Sequence, residues 1–479
     1  MLTILLILLP FVAGSLLLAF KDEKMVKRAA LGMSVAIFAA TSIALALFSN
    51  TSLFTIDVMW IAAIGSHLHL GLDGISIAMV LLTTGLMPFI FSVNDGEIRR
   101  GKVFYALMFF AQGAILGVFT ALDGFLFYIF WELSLIPIYF IILLWGGEGS
   151  RRTTLKFFIY TAAGSLLMLV AYIFVFMNSS THSFDITGMY NQHISAGNQS
   201  WLFWMIFVAF AIKAPVFPLH TWMPETYTKA PMKGTMLLSA IMSKMGIYGM
   251  IRWMLPIVPL GSAQWGNTVM VLAIIGVVYA SIITLKQKDL KTFSAYSSMA
   301  HIGLIVAGLF AFNLVGMQGV IFQMVAHGIN IVGLLYIISI METEGGSRLI
   351  SSFGGLRSNT PRLSSLFMII TFGMVALPLT NAFIGEFLLI TGIFKVSIWM
   401  AATAGLSIIL GAIYMLYMFQ KTMLGTAGPE SAKIIDVKGC AFTALAIIAL
   451  LIVVTGVMPQ PILDVTSSAV DSILAYLNC

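Results

Sequence analysis

Long apolar runs separated by short polar segments make up nearly the whole chain. The runs are long enough for α-helices that cross the roughly 30 Å hydrocarbon layer of a membrane, which takes about 20 residues. The pattern predicts fourteen spans, at residues 2–20, 29–48, 74–93, 103–121, 125–145, 154–177, 201–218, 234–254, 268–285, 292–311, 316–340, 363–393, 396–420 and 439–457. We therefore expect an all-α polytopic membrane protein of about 14 transmembrane helices.

The seventh predicted span is interrupted near its middle. Lys213 lies twelve residues into the apolar run, and Pro215 and Pro218 follow it directly. Because proline has no amide hydrogen, we expect the carbonyls of Ala211 and Ala214 to lose their helical partners. Broken backbone at membrane depth is tolerated only where it is buried in protein or lines a wet cavity. The stretch therefore indicates a discontinuous helix that carries an ionisable group, as transport sites do.

A second interruption falls in the twelfth predicted span, at Leu377 and Pro378. The two broken spans are five spans apart, and an odd offset gives two serial units opposite orientations in the membrane. We predict two inverted five-helix repeats, each with a broken helix. The corresponding division is residues 1–102 for the N-terminal helices, 103–254 for spans 4 to 8, 268–422 for spans 9 to 13, and 423–479 for the C-terminal helix.

Composition and charge support a membrane location. The chain of 479 residues is 60% hydrophobic and 9% charged, with a mean hydropathy of +1.01, which excludes a soluble domain. Its net charge of +6 is concentrated in alternate loops. By the positive-inside rule these odd-numbered loops are cytoplasmic, so both termini face outward. The first span is expected to be a retained helix rather than a signal peptide, because its positive charges follow it. The charge therefore reports topology and does not indicate nucleic-acid binding.

Four basic residues lie outside these loops: Lys213, Lys244, Arg252 and Lys395. Arg252 and Lys395 are near predicted span ends, where they are expected to extend to the lipid headgroups. Lys213 and Lys244 are too deep for this. An ammonium at membrane depth is costly, so the two lysines are candidates for a functional role.

Two carboxylates and two histidines also fall well inside predicted spans, namely Glu132, Glu386, His301 and His327. Each has a structural alternative: a buried glutamate can pair with a lysine to hold helices together, and a histidine can be a hydrogen-bonded packing group. Six ionisable groups at mid-depth are nevertheless hard to explain as packing alone.

Redox and nucleotide chemistry are not indicated. Cys440 and Cys479 are the only cysteines, so the chain cannot supply the four ligands of an iron–sulfur cluster. There is no glycine-rich dinucleotide or phosphate-binding motif after a strand. His67 and His69 could hold a metal adventitiously, but a surface or interfacial position fits them better. We expect no cofactor on this chain.

Several strings are specific enough to identify a family. FYIFWELSLIPIYFIILLWGG, KAPVFPLHTWMPETYTKAP, LLSAIMSKMGIYGMIRW, DLKTFSAYSSMAHIGLI and LPLTNAFIGEFLLI resemble the antiporter-like subunits shared by respiratory complex I and multisubunit Na⁺/H⁺ antiporters. The resemblance covers roughly residues 65–425. Within the family the chain is most similar to M-type subunits of bacterial complex I, because Glu386 stands where L and N subunits carry lysine and no long lateral helix follows span 14.

The resemblance assigns roles to the six buried groups. It implies Glu132 and Lys213 as the charge pair of a first half-channel and Lys244 as the central connecting lysine. It further implies that His301 and His327 relay protons along the central axis and that Glu386 is the terminal proton site.

The function that the resemblance implies is proton translocation by a membrane-arm subunit of NADH:quinone oxidoreductase, an enzyme whose redox centres lie elsewhere. NAD, FMN, iron–sulfur clusters and quinone are then expected on partner subunits, with L and N subunits and lipids as neighbours. The location implied is the inner membrane of a bacterium, with both termini periplasmic. The alternatives are a subunit of a multisubunit cation/proton antiporter or, less favoured, the arm of a membrane-bound hydrogenase.

Overall fold

The computed structural model describes residues 2–47, 51–94, 96, 98–179, 181–190 and 194–477. These form a bundle of α-helices and one hairpin of strands β1 (Ile56–Ile61) and β2 (Ser66–Leu70). The helices are α1 Leu2–Leu18, α2 Glu23–Leu47, α3 Gly74–Ser92, α4 Gly101–Thr120, α5 Gly124–Trp145, α6 Ser150–Asn178, α7 Ile186–Tyr190, α8 Ala196–Lys213, α9 Met223–Lys229, α10 Met232–Leu237, α11 Ser243–Gly249, α12 Pro259–Thr284, α13 Leu290–Leu309, α14 Leu314–Gly345, α15 Leu356–Asn359, α16 Pro361–Val375, α17 Asn381–Phe394, α18 Ile398–Met423, α19 Gly439–Val457 and α20 Gln460–Ala475.

Eleven of the described helical segments are long and apolar enough to cross a membrane, so the chain is a multi-pass membrane protein. One of them, Met232–Met254, consists of α10, α11 and two π-helical turns. Three further apolar helices, α1, α16 and α17, are shorter than 18 residues. Each predicted span overlaps a helix of the described residues, but the helix of the seventh ends at Lys213, before residue 218, and the twelfth is divided between α16 and α17.

The first helix break follows Lys213, where α8 ends. The expectation that the carbonyl of Ala211 lacks a partner is wrong, because the amide of Val216 donates to it at 2.8 Å. The turn at Pro215 is wider than an α-helical turn, so the next available N–H, five residues after Ala211, replaces the missing one. The indole of Trp222 also donates to the carbonyl of Ile212, at 2.9 Å.

The second break is built differently, because its five-residue hydrogen bond comes before the proline and belongs to the cap of α16. α16 ends at Val375, and the amide of Leu377 donates to the carbonyl of Phe372, again five residues back, at 3.1 Å. Ala376 and Leu379 adopt left-handed backbone conformations on either side of Pro378, with φ of 60° and 75°. Helix α17 then restarts at Asn381.

The connections between helices separate onto two faces. On one face, which we call the hairpin face, the β1–β2 hairpin meets the α4–α5 and α6–α7 connections: Leu122 N–H donates to the carbonyl of His69 at 2.9 Å, and Ser183 Oγ to that of Gly65 at 3.0 Å. On the other, the basic face, Gly147 N–H donates to the carbonyl of Lys229 at 2.8 Å. The α4–α5 and α6–α7 connections thus lie on one face, and the α5–α6 and α9–α10 connections lie on the other.

The elements that the apolar pattern does not predict include the hairpin and helix α20. The hairpin is short and contains polar residues, and α20 carries polar side chains on one side, so neither resembles a membrane span. Helix α20 packs on the start of α3, where a Cβ added to Gly74 would lie 1.8 Å from the carbonyl oxygen of Val465. Only glycine allows the two backbones to approach so closely.

Candidate functional site

Lys244 lies at the centre of the buried charges. It is on α11, between the π-helical turns 238–242 and 250–254, and is completely buried. Its ammonium donates to the carbonyl of Ser239 at 2.8 Å, and Nζ lies 3.3 Å from Oγ of Ser243. A third contact joins Nζ to Nδ1 of His327 at 2.7 Å. Polar atoms of its own helix and one side chain of α14 therefore surround the lysine.

His327 continues the polar line toward α13. Its Nε2 atom lies 3.1 Å from Oγ of Ser298. If the lysine is charged, its ammonium donates to Nδ1, so the neutral imidazole carries its hydrogen on Nε2 and donates to the serine. The ring of His327 lies 5.5 Å from that of His301, centroid to centroid.

His301 joins this line to Glu386. Nδ1 of His301 lies 2.9 Å from Oε1 of Glu386, which also accepts from Nε2 of Gln323 at 3.3 Å. Glu386 and Gln323 are both buried. Gly385 makes room for them, since a Cβ there would lie 2.2 Å from the Gln323 amide oxygen.

The resulting line Lys244, His327, His301, Glu386 is broken at one place. Nε2 of His301 is buried and has no hydrogen-bond partner among the described residues. The gap lies between the two imidazoles, whose rings are near one another without a direct hydrogen bond in the described chain. Proton transfer along the line therefore requires a bridging water or a ring rotation at this point.

Glu132 and Lys213 lie apart from this line and from each other. Lys213 is 3% exposed, and its Nζ lies 5.2 Å from the centroid of the Trp131 ring. No ion pair within 4.0 Å joins these two described residues, although Lys213 lies within the electrostatic field of the Glu132 carboxylate. Oε1 of Glu132 is buried with no hydrogen-bond partner in the described chain. The structure thus shows the predicted charge pair separated, with the cation resting on an aromatic face.

Arg252 corrects one of the sequence expectations. It does not extend to the headgroups: only 8% of it is exposed, and its guanidinium forms an ion pair with Asp73. Asp73 also caps α3 by accepting from the amide of Ser76 at 2.9 Å. The spacing of Lys244, Tyr248 and Arg252 places the three on one side of a helix, and this was the sequence signal for a buried role. Lys395, by contrast, is exposed as expected.

Two lysines assigned to loops are also buried. Lys233 donates to the carbonyl of Val93 at 3.0 Å, and Lys291 to that of Ala230 at 2.6 Å. Both residues are near helix starts, so their position in sequence resembled that of loop lysines. Lys291 lines a cavity of about 640 Å³ at the basic face together with Glu342.

Each of the two histidines in the β1–β2 hairpin lies next to a carboxylate. Nδ1 of His67 lies 2.6 Å from Asp57, and Nδ1 of His69 lies 2.5 Å from Asp185. Burial alone would lower the pKa of His69, but the hydrogen bond and charge of Asp185 raise it above its ordinary value. Burial alone would raise the pKa of Asp185, but the bond to His69 and those to Thr187 lower it. Within the described chain, no three metal-ligating side chains converge.

Comparison with known proteins identifies the class. Residues 121–411, more than half of the chain, match the family described as "NADH:quinone oxidoreductase/Mrp antiporter, TM". The chain belongs to this family. It is 37% identical to NADH-quinone oxidoreductase subunit M of Rickettsia prowazekii over 98% of this chain and 97% of that protein. The family resemblance inferred from the sequence motifs is thereby confirmed.

Solved structures agree with this assignment. A chain of respiratory complex I from Thermus thermophilus with bound NADH superposes with a TM-score of 0.91 at 28% identity, covering 99% of both chains. A chain of the Mrp complex from Dietzia sp. DQ12-45-1b superposes with a TM-score of 0.86 at 18% identity, again over 99% of both chains. The second likeness shows a shared fold alone.

Proposed function

We propose that the chain is a proton-translocating membrane-arm subunit of NADH:quinone oxidoreductase. The observation that carries this proposal is the buried polar line from Lys244 through His327 and His301 to Glu386. Every member is a titratable group, and the line crosses from α11 to α17 inside an apolar bundle. Such groups are expensive to bury and suit a proton relay.

The separated Glu132 and Lys213 suggest how the relay is driven. When the carboxylate approaches the ammonium, it stabilises the protonated lysine; when it withdraws, burial disfavours the charge and a proton leaves toward Lys244. In the structure the ammonium lies over the Trp131 ring, and no carboxylate of the described residues lies within 4.0 Å of it. This arrangement supports a separated state of the pair as one stage of the cycle.

A polar stripe on α13 supports proton entry from the basic face. Lys291 lines the cavity there, Ser294 Oγ donates to the carbonyl of Lys291 at 2.8 Å, and Ser298 contacts His327. All three α13 side chains are buried and recur at helical spacing on one side of the helix. Protons would reach His327 along this stripe.

The finer architecture that we propose comprises about fourteen spans, with inverted repeats over 103–254 and 268–422 between the segments 1–102 and 423–479. Two observations support it. The broken helices are five spans apart, and each break lies at a proline, Pro215 in the first and Pro378 in the second. A proline break at matching positions is what duplicated units with opposite orientations would retain.

The setting that we propose is the inner membrane of a bacterium, with the hairpin face and both termini outside. The alternating basic loops support this orientation; Met1 and Cys479 lie outside the described residues. L- and N-type subunits and lipids would surround the chain, while NAD, FMN, iron–sulfur clusters and quinone would be held by partner subunits. The absence of a cofactor on this chain remains a prediction.

The decisive experiment compares Lys244→Ala with the unmodified protein in inverted membrane vesicles. Loss of NADH-driven proton uptake, with NADH oxidation by ferricyanide retained, would support the proposal. The runner-up, a subunit of a cation/proton antiporter, rests on the shared fold. It predicts instead that added Na⁺ collapses a pre-formed pH gradient in vesicles without NADH, and that Lys244→Ala abolishes this exchange.

A further inference from the structure

The buried ion pair between Arg252 and Asp73 has no part in the route described above. Arg252 lies eight residues beyond Lys244, about 12 Å along the helix at 1.5 Å per residue, in the direction of the hairpin face. Asp73 follows strand β2 and caps α3 on that face. The pair therefore stands between the central lysine and the water at the hairpin face.

Burial is graded across the pair. The Arg252 side chain is 10% exposed, whereas the Asp73 side chain is 31% exposed. The carboxylate thus meets solvent and the guanidinium lies behind it, on the side of Lys244. Along its own helix, Arg252 lies between Lys244 and that surface.

Two tyrosines hold the arginine in place. The Tyr190 hydroxyl donates to the backbone carbonyl of Arg252 at 2.5 Å. The ring of Tyr248 has its centroid 6.0 Å from Cζ of Arg252, and its hydroxyl donates to the carbonyl of Phe119 at 2.9 Å. The same hydroxyl lies 3.1 Å from Oγ of Ser76. The tyrosine that separates Lys244 from Arg252 is therefore committed to fixed hydrogen bonds.

We propose that Arg252, held by Asp73, is an electrostatic barrier that stops protons passing directly between Lys244 and the hairpin face. A guanidinium cannot release its proton in a protein, so it repels protons without relaying them. Protons at Lys244 are then restricted to the lateral line through His327. The inference rests on the proposed function, since a barrier matters only if Lys244 carries protons.

The test measures passive proton conductance of the whole complex in proteoliposomes, without NADH, under a potassium diffusion potential. Arg252→Met keeps the length of the side chain and removes its charge, and should raise the conductance by roughly threefold or more. Asp73→Asn leaves the positive charge in place, so conductance should stay at the level of the unmodified complex. Arg362→Met, at an exposed arginine of the basic face, is the matched control and should also show no change.

A role in packing alone gives a different pattern. Breaking the pair from either side would then have the same effect, so equal conductance in Arg252→Met and Asp73→Asn overturns the proposal. Should Arg252→Met fail to assemble, the double variant Arg252→Met with Asp73→Leu removes both charges and the unpaired carboxylate. The double variant should show the raised proton conductance expected of Arg252→Met. Normal conductance in the double variant would show that the pair serves packing, and so would failure of both variants to assemble.

The outcome is separable from that of the proposed function. NADH-driven pumping by the unmodified complex is measured in the same liposomes. If the unmodified complex does not pump, the proposed function fails whatever the leak. If it pumps and Arg252→Met does not leak, only the barrier fails.

Discussion

The Nζ atom of Lys244 lies 2.7 Å from Nδ1 of His327, and this contact joins the two halves of the chain. Lys244 belongs to the proposed repeat 103–254 and His327 to the proposed repeat 268–422. The contact therefore connects the half that contains Glu132 and Lys213 with the half that contains Glu386. A proton passing between the two halves would cross at this hydrogen bond.

Replacing His327 tests this crossing. His327→Gln can keep one hydrogen bond to Lys244 but cannot take up a proton, so we expect it to lower coupled NADH:quinone turnover by about tenfold, equivalent to about 1.4 kcal/mol. NADH oxidation by ferricyanide should be unchanged, because it does not use the membrane arm. A variant with full coupled turnover and a full proton gradient would show that His327 only packs.

The Glu132 and Lys213 pair gives the second prediction. Alanine at either position should reduce coupled turnover and proton pumping by about tenfold or more, because the pair is expected to stabilise the transition state for proton transfer. Glu132→Asp should retain more activity than Glu132→Gln, since aspartate keeps a titratable group within reach of Lys213. Coupled turnover and pumping are measured in vesicles, with the ferricyanide reaction as the control for assembly. Full coupled activity in both alanine variants would exclude a role for the pair.

Both helix breaks were predictable from the sequence for a simple physical reason. A proline within an apolar run removes a hydrogen bond at a known position, so the ends of α8 and α16 could be expected near Pro215 and Pro378. Which donor each freed carbonyl accepts from could not be predicted. The amide of Val216 reaches the carbonyl of Ala211 only because of the particular turn that the chain adopts. Local chemistry determined where each break falls, and tertiary packing determined how the backbone was satisfied.

Which buried charged residues contact one another was harder to predict from the sequence. His327 lies 83 positions from Lys244 in sequence, and His301 lies 85 from Glu386, so each contact depends on how helices rotate against one another. When apolar residues cover all sides of a helix, the sequence does not indicate how the helix is rotated about its axis. Arg252 was misassigned for a related reason: its position near the span end suggested contact with headgroups, whereas its partner, Asp73, comes from a loop distant in sequence.

The pair formed by His69 and Asp185 gives a pH-dependent prediction outside the membrane spans. Because the pKa of His69 is raised above 6.5, its contribution to stability is complete below about pH 6.5 and disappears as the pH rises through the raised value. The pKa of Asp185 is lowered below 3.8, so its contribution is complete above about pH 3.8 and is lost in stronger acid. The ion pair should therefore hold the hairpin best in mildly acidic solution.

Hydrogen exchange of residues 56–70 measures this effect. At about pH 5.5, Asp185→Asn should lower the protection of the hairpin amides by about threefold relative to the unmodified protein. At about pH 9 the two proteins should exchange alike, since His69 is then neutral in both. His69→Gln serves as the control and should remove the difference at both values. An equal loss of protection at both pH values would show that the bonds of Asp185 to Thr187, and not its charge pair, hold the hairpin.

The last prediction concerns Glu386, whose hydrogen-bond partners could not be identified from the sequence but are seen in the structure. Lys395 is exposed and distant along the helix, whereas His301 and Gln323 both contact Oε1 of Glu386. Glu386→Gln preserves the size of the side chain and a hydrogen bond to His301 but cannot hold a proton. We expect it to impair pumping by about tenfold in initial rate, measured as NADH-driven acidification of inverted vesicles.

Glu386→Lys distinguishes a titratable group from a required negative charge. A lysine can exchange protons with His301, so partial pumping should return if any titratable group suffices at this position. If the carboxylate instead serves to hold His301 in place, lysine should be worse than glutamine, because a cation would repel a protonated imidazole. Gly385→Ala should mimic the loss by pushing Gln323 away, since the added Cβ would meet its amide oxygen at 2.2 Å. Normal coupled turnover and an undiminished gradient in Glu386→Ala would remove this residue from the proton route.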